Sequence, residues 1–190
     1  MTNLIEFRLH HEVEKDILYW STKYTYGTAS KQAAEIDIMG KIADRTKVNG
    51  YLSFEDFLKV CAWKTDRSKS KCDKNSQSLV EDATRIALST PHEELRIGSL
   101  RVLKGVDWPT ASVILHFFHQ DPYPILDVRA LETLGISSSK FILYNFRFWI
   151  SYVEFCRDIA INHHVDMRTL DKALWGHSAY LAKQRRGKLV

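Results

Sequence analysis

Apolar residues recur at three- and four-residue spacing along almost the whole chain, which predicts an all-α fold of eight to ten helices. Val13, Ile17, Leu18 and Trp20 alternate with Glu12, Glu14, Lys15 and Asp16 and predict a first helix over 9–24, closed by Tyr26-Gly27-Thr28. Thr28 or Ser30 can cap a second helix over about 30–45, with Ala33, Ala34, Ile36, Ile38, Met39 and Ile42 as its apolar positions. Asn49-Gly50 marks a turn. Ser53 with Asp56 three residues later has the form of a capping box, opening a helix over about 53–64 that buries Phe54, Phe57, Leu58 and Cys61. Residues 65–77 have no apolar period and read as an exposed, mobile loop, either a solvated linker or a basic flap for a nucleic-acid backbone.

Further along, a helix is predicted over 77–89 and is stopped by Ser89-Thr90-Pro91, where Thr90 can cap the next helix, 91–103. A tight turn at Gly105–Asp107 leads at once into an unusually apolar helix over 108–119, with Pro109 in its first turn, where a missing N–H costs nothing. Two helices joined so closely form a hairpin, at about 92–119, and the start of the second arm offers backbone N–H groups and a positive dipole end to a phosphate. Asp121-Pro122-Tyr123-Pro124 is extended, since each proline holds the residue before it out of the helical region. Asp127 starts a short helix ended by Gly135. Ser137–Ser139 are expected to cap a long aromatic helix over 138–162, and Asp166 the last one, over 167–183, followed by a frayed basic tail at 184–188.

The hairpin Leu103-Lys104-Gly105-Val106-Asp107-Trp108-Pro109-Thr110-Ala111, with Asp127 eighteen residues beyond Pro109, resembles the helix-hairpin-helix DNA glycosylases. In that family the hairpin reads Leu-x-Gly-Val-Gly-x-Lys-Thr-Ala, and an essential aspartate follows the lysine at this spacing. The match covers roughly residues 95–135. Asp107 replaces the second glycine, and Pro109 stands in the lysine position. The resemblance implies two helical lobes with a cleft between them, one lobe built from both chain ends and the other from the middle helices, all within one helical domain, 1–190. It implies a double-stranded DNA partner and Asp127 as the catalytic carboxylate. That group would stabilise an oxocarbenium-like sugar and position water. Without the lysine, Schiff-base chemistry and strand cleavage are not expected, so the enzyme would be monofunctional. The residues alone also allow Asp127 to be only a helix cap. A non-catalytic nucleic-acid-binding protein of the same fold, or a helical interaction protein, stays open.

For the remaining contacts, Lys104, Gly105, Val106, Asp107 and Trp108 are the phosphate-binding candidates. Trp63 and Tyr123 are candidates for a base pocket, and Lys64 and Arg67 for further basic contacts. Each of these also has a plain reading as core or solvated surface. The Asp107 carboxylate would repel a phosphate unless it turns back to cap the helix.

Net charge adds little weight: +4, with a pI near 8.9, is compatible with a polyanion without requiring one. Three scattered cysteines, Cys61, Cys72 and Cys156, suit a reducing compartment and supply no iron–sulfur quartet. No cofactor is expected. Neither His10-His11 nor His163-His164, with Asp166 and His177, has the spacing of converging ligands along one helix, so no metal is expected. No apolar run reaches membrane-spanning length, and a cytoplasmic protein with no membrane partner is expected.

Overall fold

The computed structural model describes residues 6–136 and 144–187. Every regular element among them is helical, and no helix is long and apolar enough to cross a membrane. In chain order the α-helices are α1 (His11–Lys15), α2 (Ile17–Ser21), α3 (Ala29–Asp37), α4 (Ala43–Asn49), α5 (Phe54–Lys64), α6 (Lys69–Cys72) and α7 (Gln77–Ser89). They continue as α8 (Glu93–Arg101), α9 (Trp108–Phe118), α10 (Val128–Thr133), α11 (Phe146–Asn162) and α12 (Met167–Gly187). The chain divides into two compact units, one from Tyr26–Tyr123 and the other from Met1–Thr25 with Pro124–Val190.

Within the Tyr26–Tyr123 unit, α5 packs against α3, α7 and α9, and α8 lies between α7 and α9. Phe57, Val60, Cys61, Val80, Ile97, Leu100, Ile114 and Leu115 fill its interior. Ser53 caps α5 as expected, accepting from the Asp56 N–H at 3.2 Å. The second predicted helix runs further than its apolar pattern suggested, because a wide π-helical turn at Ile38–Ile42 joins α3 to α4. Ile38 and Ile42 are buried on the face that also carries Glu35 and Thr46, whereas Ile36 and Met39, expected among the apolar positions, are exposed.

The other unit is centred on α12, which packs against α2, α10, α11 and α1. Asp16 breaks the predicted first helix in two: its extended backbone ends α1, and its carboxylate caps α2 through the Tyr19 N–H at 2.8 Å. Gly176 lets α12 approach the end of α2, for a Cβ there would lie 2.6 Å from the Trp20 carbonyl oxygen and 3.1 Å from the Tyr24 nitrogen. The expected Ser137–Ser139 cap lies outside the described residues. Tyr144 and Asn145 are not helical, and α11 instead starts behind Asn145, whose side chain accepts from the Phe148 N–H at 2.9 Å. Asp166 caps α12 as its sequence suggested, and that helix runs on through the basic residues to Gly187.

Candidate nucleic-acid interface

The arms α8 and α9 meet in a turn whose tightness rests on Gly105. Its φ is +83°, and a Cβ would lie 2.7 Å from Cys72 Sγ and 3.0 Å from the Cys72 nitrogen. Both the left-handed backbone and the close approach demand glycine. Leu103 and Val106 anchor the turn from inside, and the Val106 N–H closes it on the Leu103 carbonyl at 3.1 Å.

Asp107 does turn back on its helix. Its carboxylate accepts from the Trp108 N–H at 2.9 Å and from Arg101 Nε at 3.3 Å. The Arg101 guanidinium also lies over the Trp108 ring, 4.1 Å from its centroid. The negative charge that would oppose a phosphate thus has a cation beside it. The pair is exposed, so it contributes little stability. The first-turn amides of α9 are largely used: Trp108 N–H by Asp107, Thr110 and Ala111 N–H by the Asp107 carbonyl. Pro109 has none.

The segment expected as an open loop is instead folded onto this turn. Asp66–Ser68 forms a 3-10 turn that runs into α6, with Cys72 and Asn75 buried. The Asn75 carboxamide takes the Lys104 N–H at 2.8 Å and donates to the Lys104 carbonyl at 3.0 Å, while also donating to the Cys72 carbonyl at 2.8 Å. Lys104 Nζ reaches the Lys74 carbonyl at 3.3 Å, and Lys71 Cβ faces Gly105. Lys71, Lys74 and Lys104 are all exposed, as is Asp73, so three lysines and one aspartate from two stretches of chain border one turn. A polar, aperiodic stretch gives no sign of this, because one cysteine and one asparagine hold it in place.

The candidate pocket aromatics sit in the interior. Trp63 is 3% exposed and packs edge-on to Phe117, with ring centroids 5.2 Å apart, and beside Tyr26. The Lys64 carbonyl accepts from Tyr26 Oη at 2.8 Å. Arg67 is exposed on the 3-10 turn. Tyr123 is fully buried and donates its hydroxyl to Glu93 at 2.7 Å. Glu93 also accepts from Arg96 Nε at 3.2 Å, and the buried Arg96 donates to the Ala87 carbonyl at 2.8 Å and contacts His119 Nε2. Burial and the Arg96 charge hold the His119 imidazole below the usual histidine range.

Asp127 belongs to the unit built from both chain ends. It is half-buried and caps α10, its carboxylate accepting from the Arg129 N–H at 2.9 Å. The strand-like stretch before it is fixed by side chains that the sequence did not single out. Tyr152 Oη donates to the Ile125 carbonyl at 2.9 Å, and Asp171 accepts from the Ile125 N–H at 3.2 Å while holding Arg168 at 2.6 Å. Burial pushes the Tyr152 phenol well above its usual range, so it stays protonated and able to donate. A carboxylate held this way has a fixed position and one accepting oxygen engaged by a backbone N–H.

No family model, curated protein or solved structure matches the chain. The functional reading therefore stands on the geometry of these residues and on the resemblance of the hairpin.

Proposed function

We propose that the chain binds double-stranded DNA through the turn between α8 and α9, in a fold of the helix-hairpin-helix glycosylase type. The observation that carries this reading is the Asn75 clamp, which sets Lys71 and Lys74 beside Lys104 at the hairpin turn. Phosphate recognition needs cations around a tight backbone turn, and three exposed lysines border this one. The turn peptides at Gly105 and Asp107 are the ones a phosphate would use, because the first-turn amides of α9 are engaged. Arg101 offsets the charge of Asp107.

On this reading Asp127 is the carboxylate of a monofunctional N-glycosylase step. It would accept a proton from water as the water oxygen bonds to the sugar C1′. The C1′–N bond breaks, and the base leaves with the bonding pair and takes a proton from solvent. Support comes from the spacing of Asp127 after the hairpin and from its fixed, half-buried setting. The burial of Trp63 and Tyr123 favours the second reading, a DNA-binding protein without base excision. Duplexes carrying single damaged or mispaired bases, incubated with the protein and then treated with alkali, separate the two. Alkali-dependent breaks that disappear in Asp127→Asn support excision. Duplex binding without breaks leaves the binding protein, and absence of binding at low salt rejects both.

A further inference from the structure

His10 precedes α1, Glu12 lies within it and His177 lies in α12, yet their ligand atoms all fall within 4.8 Å of one another. All three belong to the unit built from the two chain ends. The His10 and His177 rings are 4.3 Å apart between centroids, and His177 Nε2 is 3.5 Å from a Glu12 carboxylate oxygen.

The hydrogen bonds around His177 define what it offers. Thr133 Oγ1 donates its proton to the Leu174 carbonyl at 2.8 Å, so toward His177 it can only accept. His177 Nδ1, 3.2 Å from that oxygen, is therefore the protonated nitrogen. In the neutral imidazole Nε2 then carries a lone pair. It is buried, has no hydrogen-bond partner, and faces the Glu12 carboxylate. Two lone-pair groups facing each other beside a second imidazole repel unless a cation lies among them. The His177 residue is 1% exposed and its ring is braced by Trp20, with ring centroids 4.7 Å apart, whereas the Glu12 side chain is 48% exposed. One ligand is rigid, and another can close from solvent.

We propose that His10, Glu12 and His177 bind a divalent transition-metal ion, with zinc the natural occupant. Two imidazoles and a carboxylate are a zinc donor set, and the 3.5 Å between His177 Nε2 and the Glu12 carboxylate oxygen is the spacing of two ligands on one ion at about 2.0–2.2 Å. Thr133 serves as the outer partner that fixes the ring and its tautomer, as metal-bound histidines commonly have. Three protein ligands leave a fourth position for water. The ion would tie the start of α1 to α12, joining segments from opposite ends of the chain. This site is independent of the DNA-binding reading.

The test is titration of the full-length protein, stripped of metal by a chelator, with Zn2+, and with Co2+ as a spectroscopic probe of geometry. One Zn2+ should bind per chain with a Kd on the order of 1 µM or tighter. Tm should rise by about 5–10 °C at a hundredfold excess over Kd. His10→Gln and Glu12→Gln, both at solvent-reachable positions, should each weaken binding at least about tenfold, and Thr133→Val about 10–100-fold. His163→Gln with His164→Gln should leave it unchanged. Absence of stoichiometric binding at about 100 µM Zn2+, or undiminished affinity in both His10→Gln and Glu12→Gln, overturns the proposal. The Glu12–His177 contact would then be an ion pair with a protonated imidazole.

Discussion

The side-chain amide of Asn75 brackets the peptide of Lys104, accepting from its N–H at 2.8 Å and donating to its carbonyl at 3.0 Å. The contact joins residues 29 positions apart and makes the basic segment after α5 part of the hairpin turn. Asn75→Ala removes these two bonds and the one to the Cys72 carbonyl, and leaves partly or fully buried backbone groups unsatisfied, so it should cost about 1–3 kcal/mol in urea unfolding. Asn75→Asp keeps the acceptor toward the Lys104 N–H but loses the donor, and a folded Asp variant should bind duplex DNA more weakly than wild type.

Gly176 and Gly98 make opposite predictions for the same substitution. In a helix, alanine is favoured over glycine by about 0.8–1 kcal/mol. At Gly98 nothing lies within 4 Å of an added Cβ, so Gly98→Ala should raise stability by roughly that amount. At Gly176 the Cβ would meet backbone of α2 and the residues after it at 2.6–3.1 Å, and backbone cannot yield as a flexible side chain can. Gly176→Ala should lower stability by about 1–3 kcal/mol or more despite the helix preference. Urea midpoints of the two variants decide it.

His119 predicts a pH dependence with a definite sign. Burial first, then Arg96, lower its proton affinity in the fold. The unfolded chain therefore binds the proton more readily. The stabilisation is present above the unfolded value of about 6.5 and is lost as pH falls through it toward the folded value. Unfolding midpoints should drop between about pH 7 and pH 5, and His119→Gln should reduce that drop.

Asp127 can be tested as a cap apart from any chemistry. Asparagine caps helices about as well as aspartate, so Asp127→Asn should leave stability almost unchanged, while Asp127→Ala should cost about 1 kcal/mol. Abolished base excision in the stable Asn variant assigns the carboxylate to catalysis.

Much of the helical layout can be read from periodicity and caps. Ser53, Asp127 and Asp166 all cap the helices their sequence context indicates, and the hairpin arms follow directly from the Gly105 turn. Those signals are local. The apolar positions of 30–45 spread over more than one side of the helix: Ile36 and Ile38, two residues apart, cannot share a face, and only Ile38 and Ile42 meet the core. The 65–77 segment carries no hydrophobic stripe; its order comes from one buried cysteine and one buried asparagine acting across the fold, which periodicity does not reveal. Tyr152 and Asp171, which fix the stretch before Asp127, lie in helices whose rotation the sequence does not define relative to that stretch. The meeting of His10, Glu12 and His177 joins positions about 165 residues apart, beyond any spacing rule.

The salt dependence of duplex binding tests whether the hairpin turn and its bordering lysines hold a DNA backbone. Anisotropy of a labelled duplex should show log K falling linearly with log salt, by about 0.9 for each phosphate neutralised. Replacing Lys71, Lys74 and Lys104 together by alanine should reduce that slope by about 2–3 and weaken binding at low salt, while Lys15, Lys47 and Lys59 replaced together leave both unchanged. Equal slopes and affinities for wild type and the Lys71, Lys74, Lys104 variant would rule out DNA binding at this turn.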